Sequence, residues 1–308
     1  MPLPEDSMAM MAEIDMDYDE ALTKPIKDSS GHKMWRDVTY AVEAGFRPLM
    51  LDVTLPKGQG PFPLVVFIHG GAWFVGHPTI SNPKYRKLDH HNRLLEAGFA
   101  VARIAYRFSA EGQFPMQLHD CKAAIRFLRQ HAATFNVDAN RFAAMGDSAG
   151  GHLAALVGVT NNNATMEGTV GKAEHSSAVQ AVVDWFGPVN FRTMESDARA
   201  MNVNWPSHDA ADAPEALLVG GPVQERRAQV LAASPLTYVT KDAPPFLIQH
   251  GTKDRMVPFA QSQALADKLK AAGCDVTLKA IKDADHCFWG VGEEGIVEDV
   301  ITFLKRVL

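Results

Sequence analysis

The sequence of 308 residues is poor in cysteine and has no excess of basic charge. Its three cysteines, Cys121, Cys274 and Cys287, form an odd set without paired spacing, which argues against a disulfide framework and fits a reducing compartment. The 30 basic side chains are outnumbered by 36 acidic ones, which gives a formal net charge of −6. Because phosphate binding relies on clustered Lys and Arg, we expect no nucleic-acid partner.

The sequence also lacks metal-binding motifs, nucleotide-binding motifs and long apolar runs. No CxxC, HExxH, Walker or dinucleotide glycine pattern occurs, so neither a metal site nor a cofactor is expected. No apolar run reaches the roughly 18 residues of a transmembrane helix, so a membrane partner is not expected either. Residues 1–20 are acidic and lack the basic and apolar regions of a secretory signal, which predicts a soluble, cytoplasmic protein.

What the sequence does contain is an alternation of short apolar segments with longer amphipathic ones. This pattern is typical of a parallel sheet covered by helices and predicts the α/β fold class. The predicted strands are 64–68, 99–105, 141–145, 178–186, 246–249 and 276–281, with an antiparallel edge at 38–40 and 49–54. The predicted helices are 82–97, 116–135, 148–160, 259–272 and 294–307.

Two segments do not follow this alternation. Residues 1–35 are rich in Met and acidic residues, and residues 190–235 separate two predicted strands with mixed polarity and several prolines. Connections in α/β units usually have about 2 to 6 residues besides the helix, so an excursion of this length is either a cap over a site or a decorative insertion. We favour the cap, and expect residues 1–308 to form a single domain with cap elements at 1–35 and 190–235.

The strongest motif is Gly-Asp-Ser-Ala-Gly at residues 146–150, which matches G-x-S-x-G. A predicted strand precedes it and a predicted helix follows it, which is the context this motif requires. The glycines permit a sharp turn, and the turn presents the Ser148 hydroxyl above the sheet at the start of a helix. The motif therefore predicts Ser148 as a nucleophile.

A serine hydroxyl needs a base, and His286 is the best candidate among the 12 histidines. It follows the last predicted strand, so it should lie at the same sheet edge as Ser148. His152 is one turn into the nucleophile helix and points the wrong way to accept the serine proton, which favours a packing or capping role.

The base in turn needs a carboxylate that orients it, and Asp254 is our prediction. It follows the predicted strand 246–249, and the chain order Ser…Asp…His is the order that accompanies this motif. Asp283 and Asp285 are rivals because they lie near His286 in sequence. Asp285 is the immediate neighbour of His286, however, and such a neighbour rarely folds back to the imidazole.

Acyl transfer also needs hydrogen-bond donors for the oxyanion of the tetrahedral intermediate. The segment His-Gly-Gly-Ala-Trp at residues 69–73 follows the predicted strand 64–68, where backbone N–H groups can approach a substrate oxygen. We predict Gly70, Gly71 and Ala149 as the donors. We call the segment 69–73 the oxyanion loop and residues 283–288, which contain His286, the histidine loop. Trp73 and Trp289 flank these two loops, so they are either substrate contacts or core-packing residues.

The motifs HGGAW, GDSAGG and HGTKDRMVP together resemble those of α/β-hydrolases of the esterase/lipase type. The sequence is most similar to bifunctional feruloyl and acetylxylan esterases and to hormone-sensitive-lipase-like esterases, over about residues 45–308. Ala72 stands where hormone-sensitive-lipase relatives have Gly, which favours the feruloyl/acetylxylan group. The resemblance implies an α/β-hydrolase fold with a mostly parallel sheet, the triad Ser148, Asp254 and His286, and the same three oxyanion donors. Kynurenine formamidases are also similar.

These inferences predict a serine carboxylic-ester hydrolase that forms an acyl-enzyme. Its expected partner is a small-molecule ester with a short acyl or aryl group, including acetyl or feruloyl esters of carbohydrates. An arylformamidase and a non-catalytic binding protein of the same fold stay open as alternatives. The sequence leaves the oligomeric state open, with a homodimer as one option.

Overall fold

The computed structural model describes residues 22, 24–79, 83–172, 174–203 and 206–308. Within these ranges nine β-strands form one sheet. The strands are β1 (Ile26–Lys27), β2 (Lys33–Ala41), β3 (Leu49–Thr54), β4 (Phe62–Ile68), β5 (Ala100–Ile104), β6 (Val137–Asp147), β7 (Ala181–Trp185), β8 (Phe246–Gly251) and β9 (Val276–Ile281). Their order across the sheet is β1-β2-β3-β5-β4-β6-β7-β8-β9.

The sheet is mostly parallel, with an antiparallel edge. Strands β1, β2, β3 and β5 pair antiparallel, while β5, β4, β6, β7, β8 and β9 pair parallel in that order. The predicted α/β class and antiparallel edge are thus confirmed. Strands β7 and β8 are buried at every residue, because helices cover both faces of a parallel sheet.

The helices lie on the two faces of the sheet or in the segment that follows β7. In the described ranges they are α1 (Pro83–Leu88), α2 (His90–Glu96), α3 (Met116–Gln130), α4 (Ala149–Val159), α5 (Phe191–Ala200), α6 (Pro214–Val219), α7 (Arg227–Ala233), α8 (Phe259–Ala271) and α9 (Ile296–Val307). None of these helices is both long and apolar enough to cross a membrane.

Two predicted helices differ from the observed ones. The prediction of one helix over 82–97 is wrong, because Asp89 adopts a left-handed conformation (φ 47°) that separates α1 from α2. Asp tolerates this conformation better than most residues, so the break costs little here. The helix predicted over 116–135 ends at Gln130, and the chain then turns through Asn136 at φ 51° into β6.

The nucleophile helix α4 is buried along its whole length, which explains its composition of small and apolar residues. A Cβ atom on Gly150 would overlap the carbonyl oxygen of Ile68 at the end of β4. A Cβ atom on Gly151 would likewise press on the Asp184 carboxylate in β7. Glycine at these positions therefore lets the first turn of α4 approach the carboxyl ends of the strands.

The segment 190–235 carries α5, α6 and α7, and its two ends are tied together. Ser234 Oγ donates a hydrogen bond to the carbonyl of Val189 at 2.6 Å. From α8, the Gln261 side chain accepts hydrogen bonds from the N–H groups of Val189 and Asn190 at 2.9 and 2.7 Å. The insertion therefore leaves and re-enters the fold at one place.

The other predicted cap element, residues 1–35, lies mainly outside the described residues. Its described part supplies β1 and the start of β2 at the edge of the sheet, five and four positions from β6 in the strand order. Within this part, residues 26–27 and 33–35 pair as strands at the edge of the sheet, and the cap role of residues 1–35 stays a prediction.

Candidate active site

The candidate nucleophile lies on a sharp turn between β6 and α4. Ser148 has φ 54° and ψ −121°, a conformation that residues with a side chain rarely adopt. Its N–H donates to the carbonyl of Trp185 at 2.8 Å, which holds the turn against β7. A Cβ atom on Gly146 would overlap the carbonyl of Gly150 on the other side of the turn. The glycines of the motif thus permit the turn, and the turn presents the serine hydroxyl at the carboxyl end of the sheet.

The predicted base and carboxylate meet this serine in a continuous chain of hydrogen bonds. His286 Nε2 lies 3.1 Å from Ser148 Oγ, and His286 Nδ1 lies 2.7 Å from Asp254 Oδ2. The three side chains follow β6, β8 and β9, whose carboxyl ends lie at one edge of the sheet. Residues separated by up to 138 positions in the chain are therefore brought into direct contact.

The environment of Asp254 keeps its carboxyl ionised. Burial would raise its pKa, but the charge of His286 and hydrogen bonds from His250 and His286 outweigh burial and hold the pKa well below its usual range. Asp254 Oδ1 also accepts the N–H groups of Met256 and Val257 at 2.9 and 2.8 Å. A fixed carboxylate of this kind holds an imidazole in one tautomer and stabilises its protonated form.

The two rival aspartates have other partners. Asp285 Oδ2 lies 2.7 Å from Arg255 Nε, and Asp285 Oδ1 accepts the backbone N–H of His286 at 2.8 Å. Asp283 pairs with Lys253 at 2.8 Å. The geometry therefore favours Asp254 as the carboxylate on the imidazole.

One of the three predicted oxyanion donors, the N–H of Gly70, is already hydrogen-bonded within the protein. The N–H of Gly70 donates to Asp147 Oδ1 at 3.0 Å, so Gly70 has no free donor for a substrate and that prediction is wrong. Within the described part of the chain, no acceptor is bound to the N–H groups of Gly71, Ala72 and Ala149. These three residues line the space beside Ser148. Ala72, which we did not predict, thus replaces Gly70 in the candidate set.

The oxyanion loop is held in place by buried polar side chains. Tyr106 Oη donates to the carbonyl of His69 at 2.9 Å, and Tyr85 Oη donates to Asp147 Oδ2 at 2.9 Å. Burial raises the pKa of Asp147 to about 6, although hydrogen bonds from Tyr85 and Gly70 oppose the rise. Asp147, the residue before the nucleophile, therefore binds the first glycine of the oxyanion loop and Tyr85 at the same time.

Two cavities meet at Ser148. The first has a volume of about 400 Å³ and includes His286, Asp147 and the oxyanion loop in its wall. The second has a volume of about 290 Å³ and runs between α4 and the insertion 190–235. Ser148, Ala72 and Met256 belong to the walls of both.

Trp73 lies in the wall of the second cavity and also packs the core. It is 1% exposed, and its Nε1–H donates to His152 Nδ1 at 3.2 Å. His152 Nε2 lies 2.7 Å from the carbonyl of Ala233 in α7. His152 therefore joins the oxyanion loop to the insertion, which agrees with a packing role for this histidine.

Trp289 does not contact either cavity. Its side chain is 48% exposed, and it is absent from the walls of both spaces that contain Ser148. Neither cavity therefore supports Trp289 as a substrate contact, and that role stays a prediction. The reason is that the short 3₁₀ turn His286–Phe288 ends before it, and the chain continues in an extended conformation with the ring directed outward.

No group of three or more His, Cys, Asp or Glu side chains that could hold a metal ion occurs among the described residues.

Comparison with known families agrees with this arrangement. A sequence profile of the family described as BD-FAE matches residues 51–269. The chain belongs to the BD-FAE family. The matched range contains the oxyanion loop, the nucleophile turn and Asp254, while His286 follows it.

Relatives of this BD-FAE chain are named as esterases. It is 32% identical over 224 residues to the esterase LipC of Mycobacterium tuberculosis. The aligned region covers 72% of this chain and 52% of that protein. The chain spans about half the length of the curated relatives that it matches first.

Solved structures resemble the BD-FAE chain over most of its length. A truncated carbohydrate esterase from gut microbiota has a TM-score of 0.79 and 32% identity, covering 91% of this chain and 98% of that one. A bifunctional GH43-CE protein of Bacteroides eggerthii has a TM-score of 0.76 and 35% identity, covering 89% of this chain and 38% of that one. The fold is therefore the α/β-hydrolase fold that the motifs predict.

Sequence reasoning missed some buried polar residues, and one of them, His250, contacts Asp254. His250 Nε2 lies 3.1 Å from Asp254 Oδ2, and its Nδ1 lies 2.7 Å from Ser262 Oγ. Its place in the loop motif HGTKD was a usable signal. Arg107 Nε donates to Asp120 Oδ2 at 2.9 Å, and both residues are buried. These two residues lie 13 positions apart, and no periodic pattern in the sequence indicates that they are in contact.

Proposed function

We propose that this BD-FAE chain is a carboxylic-ester hydrolase that works through a serine acyl-enzyme. The observation that carries the proposal is the unbroken chain of hydrogen bonds from Ser148 Oγ through the His286 imidazole to the Asp254 carboxylate. The esterase names of the relatives support the same reaction class.

In the first half-reaction Ser148 Oγ attacks the ester carbonyl while His286 Nε2 takes the hydroxyl proton. The carbonyl π-electrons move onto oxygen, and the Asp254 carboxylate stabilises the imidazolium that forms. The imidazolium then gives its proton to the alkoxy oxygen, the C–O bond of the ester breaks, and the alcohol leaves.

The N–H groups of Gly71, Ala72 and Ala149 are the proposed donors to the oxyanion. Ala149 is the first residue of α4, so its N–H also has the favourable field of a helix N-terminus. Donors of this kind are each worth about 10² to 10³ in kcat when they are preorganised.

In the second half-reaction water attacks the acyl-enzyme carbonyl and gives a proton to His286 Nε2. The tetrahedral intermediate collapses, the bond to Ser148 Oγ breaks, and the imidazolium returns the proton to this oxygen. The acid leaves and the enzyme is regenerated.

The proposed substrates are esters of short acyl or aryl groups, including esters of carbohydrate alcohols. The likeness to a carbohydrate esterase supports an alcohol part of this kind. We also propose that the insertion 190–235 acts as a cap, because its residues form one wall of the second cavity.

The test is the Ser148→Ala variant assayed with p-nitrophenyl acetate. We expect kcat to fall by about 10⁶, because loss of the nucleophile removes the acyl-enzyme route. Ser196→Ala, which changes an exposed serine in α5, is the matched control and should keep full activity. A fluorophosphonate probe should label the wild-type protein and not Ser148→Ala. Activity retained in Ser148→Ala would refute the mechanism.

A further inference from the structure

A second histidine contacts the carboxylate of the candidate triad. His250 is the second-last residue of β8, and its Nε2 lies 3.1 Å from Asp254 Oδ2. The same oxygen lies 2.7 Å from His286 Nδ1. His250 is fully buried and is not among the residues that form the walls of the two cavities at Ser148. An effect of His250 on the reaction must therefore be transmitted by the residues that it contacts.

The neighbours of the His250 ring fix the position of its proton. Nε2 lies 2.9 Å from the carbonyl oxygen of Val257, which can only accept a hydrogen bond, and 3.1 Å from the Asp254 carboxylate. With two acceptors in reach, Nε2 must carry a hydrogen. On the other side of the ring, Nδ1 lies 2.7 Å from Ser262 Oγ, and a hydroxyl can donate or accept there. His250 is thus an N–H donor to Asp254 Oδ2 in its neutral form and in its protonated form.

The orientation of the Asp254 carboxylate does not depend on His250. The other carboxylate oxygen, Oδ1, accepts the backbone N–H groups of Met256 and Val257 at 2.9 and 2.8 Å. These two hydrogen bonds and the contact with His286 hold the carboxylate plane on their own. What His250 adds is a second N–H donor on the oxygen that faces the imidazole of His286.

This second donor weakens the attraction of Asp254 Oδ2 for the proton on His286 Nδ1. Burial would raise the pKa of Asp254, but the charge of His286 and then the hydrogen bond from His250 lower it. A carboxylate that accepts more hydrogen bonds has a lower proton affinity. The imidazolium beside it therefore holds its proton less tightly and is a stronger acid.

We propose that His250 is a positioning residue that keeps the His286 imidazolium acidic enough to protonate alcohols that are poor leaving groups. It acts through Asp254 Oδ2 and forms no bond to the substrate. An alkoxy oxygen of an alkyl ester needs the proton from His286 Nε2 as the C–O bond breaks, whereas p-nitrophenolate leaves without it. This inference rests on the proposed esterase function and adds to it a residue required for esters of alkyl alcohols.

The test compares p-nitrophenyl acetate with ethyl acetate, which share one acyl group and differ in the leaving alcohol. The parameter kcat/KM is used because it reports acylation alone. His250→Met removes the N–H donor at similar volume and should lower kcat/KM for ethyl acetate by about three- to tenfold, a part of what general acid catalysis contributes. The value for p-nitrophenyl acetate should stay within about twofold of wild type. His250→Gln keeps an amide N–H donor and should restore most of the rate with ethyl acetate.

The pH profile of kcat/KM gives a second readout. In His250→Met the charge on Asp254 Oδ2 acts on His286 alone, so the imidazolium persists to higher pH and the acid limb should rise by about 0.5 to 1 pH unit. Loss of the contact between Asp254 and His286 through damage to the fold would move the limb to lower pH instead. The variants leave in place the other charged or titratable groups around these residues, which are Asp147, Arg255, Asp285 and Cys287.

His32→Met is the matched control, because His32 is also a buried histidine in contact with an aspartate. Its side chain lies next to β2, and its Nδ1 is 3.1 Å from Asp28 Oδ2. Neither residue belongs to the wall of a cavity at Ser148. The control should keep both values of kcat/KM and the wild-type pH profile.

Equal reductions for the two acetates in His250→Met would overturn the proposal, and so would an acid limb that stays in place or moves to lower pH. If His250→Met does not fold, His250→Gln and His250→Asn decide the matter. The shorter Asn amide ends before Asp254 Oδ2, so only Gln should keep the wild-type ratio of the two rates, and equal ratios in both variants would overturn the proposal. Absence of p-nitrophenyl acetate hydrolysis by the wild-type protein would refute the proposed esterase function as well, whereas the other failures concern His250 alone.

Discussion

The buried carboxyl of Asp184 should make the stability of this protein depend on pH in a way that one substitution removes. Asp184 lies in β7 beneath the first turn of α4 and is fully buried. Its Oδ1 accepts the N–H of Gly187 at 2.8 Å, while its Oδ2 has no partner among the described residues. Burial raises the pKa of this carboxyl from 3.8 to about 7, and the hydrogen bond from Gly187 only partly opposes the rise.

The sign and size of the effect follow from the difference between the pKa of Asp184 in the folded state and its pKa in the unfolded state. Below pH 3.8 the carboxyl is protonated in both states and has no effect on the pH dependence. Between pH 3.8 and about 7 the unfolded state loses the proton and the folded state keeps it. The free energy of unfolding therefore falls by about 1.4 kcal/mol per pH unit, or about 4 kcal/mol over the whole range. Above pH 7 both states are ionised and the loss is complete.

Asp184→Asn should remove this loss, because the amide oxygen can still accept the N–H of Gly187 but the side chain no longer ionises. Urea unfolding at pH 5 and at pH 8 measures the difference. The free energy of unfolding of the variant minus that of wild type should rise by about 3 kcal/mol from pH 5 to pH 8. The reason is that about two units of the titration range of Asp184 lie between these pH values. The carboxyl of Asp254 titrates in both proteins, so its opposite contribution cancels from the comparison.

The control is Asp242→Asn, which removes an exposed carboxylate. It should change the free energy of unfolding by the same small amount at both pH values. An equal difference between Asp184→Asn and wild type at pH 5 and pH 8 would refute the reasoning, since the buried carboxyl would then have no altered ionisation in the folded state.

Three further predictions concern the candidate active site. Asp254→Asn should lower kcat for p-nitrophenyl acetate by about 10⁴ with little change in KM, because the imidazole loses its orienting carboxylate; a loss below tenfold would contradict this role. Asp147→Ala should lower kcat/KM by about tenfold because Gly70 loses its acceptor, whereas Asp147→Asn keeps an acceptor oxygen and should stay within about threefold of wild type. Gly150→Ala should lower the free energy of unfolding by about 2 kcal/mol or more, since its Cβ would overlap the backbone of Ile68, while Gly158→Ala on the same helix meets only side-chain atoms and should cost less. Equal costs in denaturant unfolding would contradict the last expectation.

Much of the sheet could be predicted from the sequence because buried parallel strands appear as continuous apolar runs. The predicted ranges 64–68 and 246–249 lie within the parallel strands β4 and β8, whose residues are almost all buried. Ser148, Asp254 and His286 could be found because each follows a strand of the parallel part of the sheet, and parallel strands place their carboxyl ends at one edge. The meeting of these three side chains thus depends on strand order more than on local sequence.

The remaining differences come from interactions that no local pattern encodes. The Gly70 N–H is bound to Asp147, which lies 77 positions away, so the candidate donors are the N–H groups of Gly71 and Ala72 in place of those of Gly70 and Gly71. The exposed position of Trp289 depends on where a three-residue turn ends. The buried contact between His208 Nδ1 and Glu215 Oε1, at 3.2 Å, could not be predicted, because the hydrophobic periodicity of the insertion does not reveal which polar residues it buries.

The joined ends of the insertion 190–235 have a consequence for how this enzyme family can diversify. Because Val189 and Ser234 are hydrogen-bonded to each other, the exposed turns of the insertion can change in length while its two ends stay together. Its buried side chains share one core with β7 and β8 and would have to be kept. Doubling the length of such a closed loop costs only about 0.6 kcal/mol in closure entropy. A chimaera that exchanges only the exposed turns between these two residues should therefore keep Ser148, Asp254 and His286 in contact with one another.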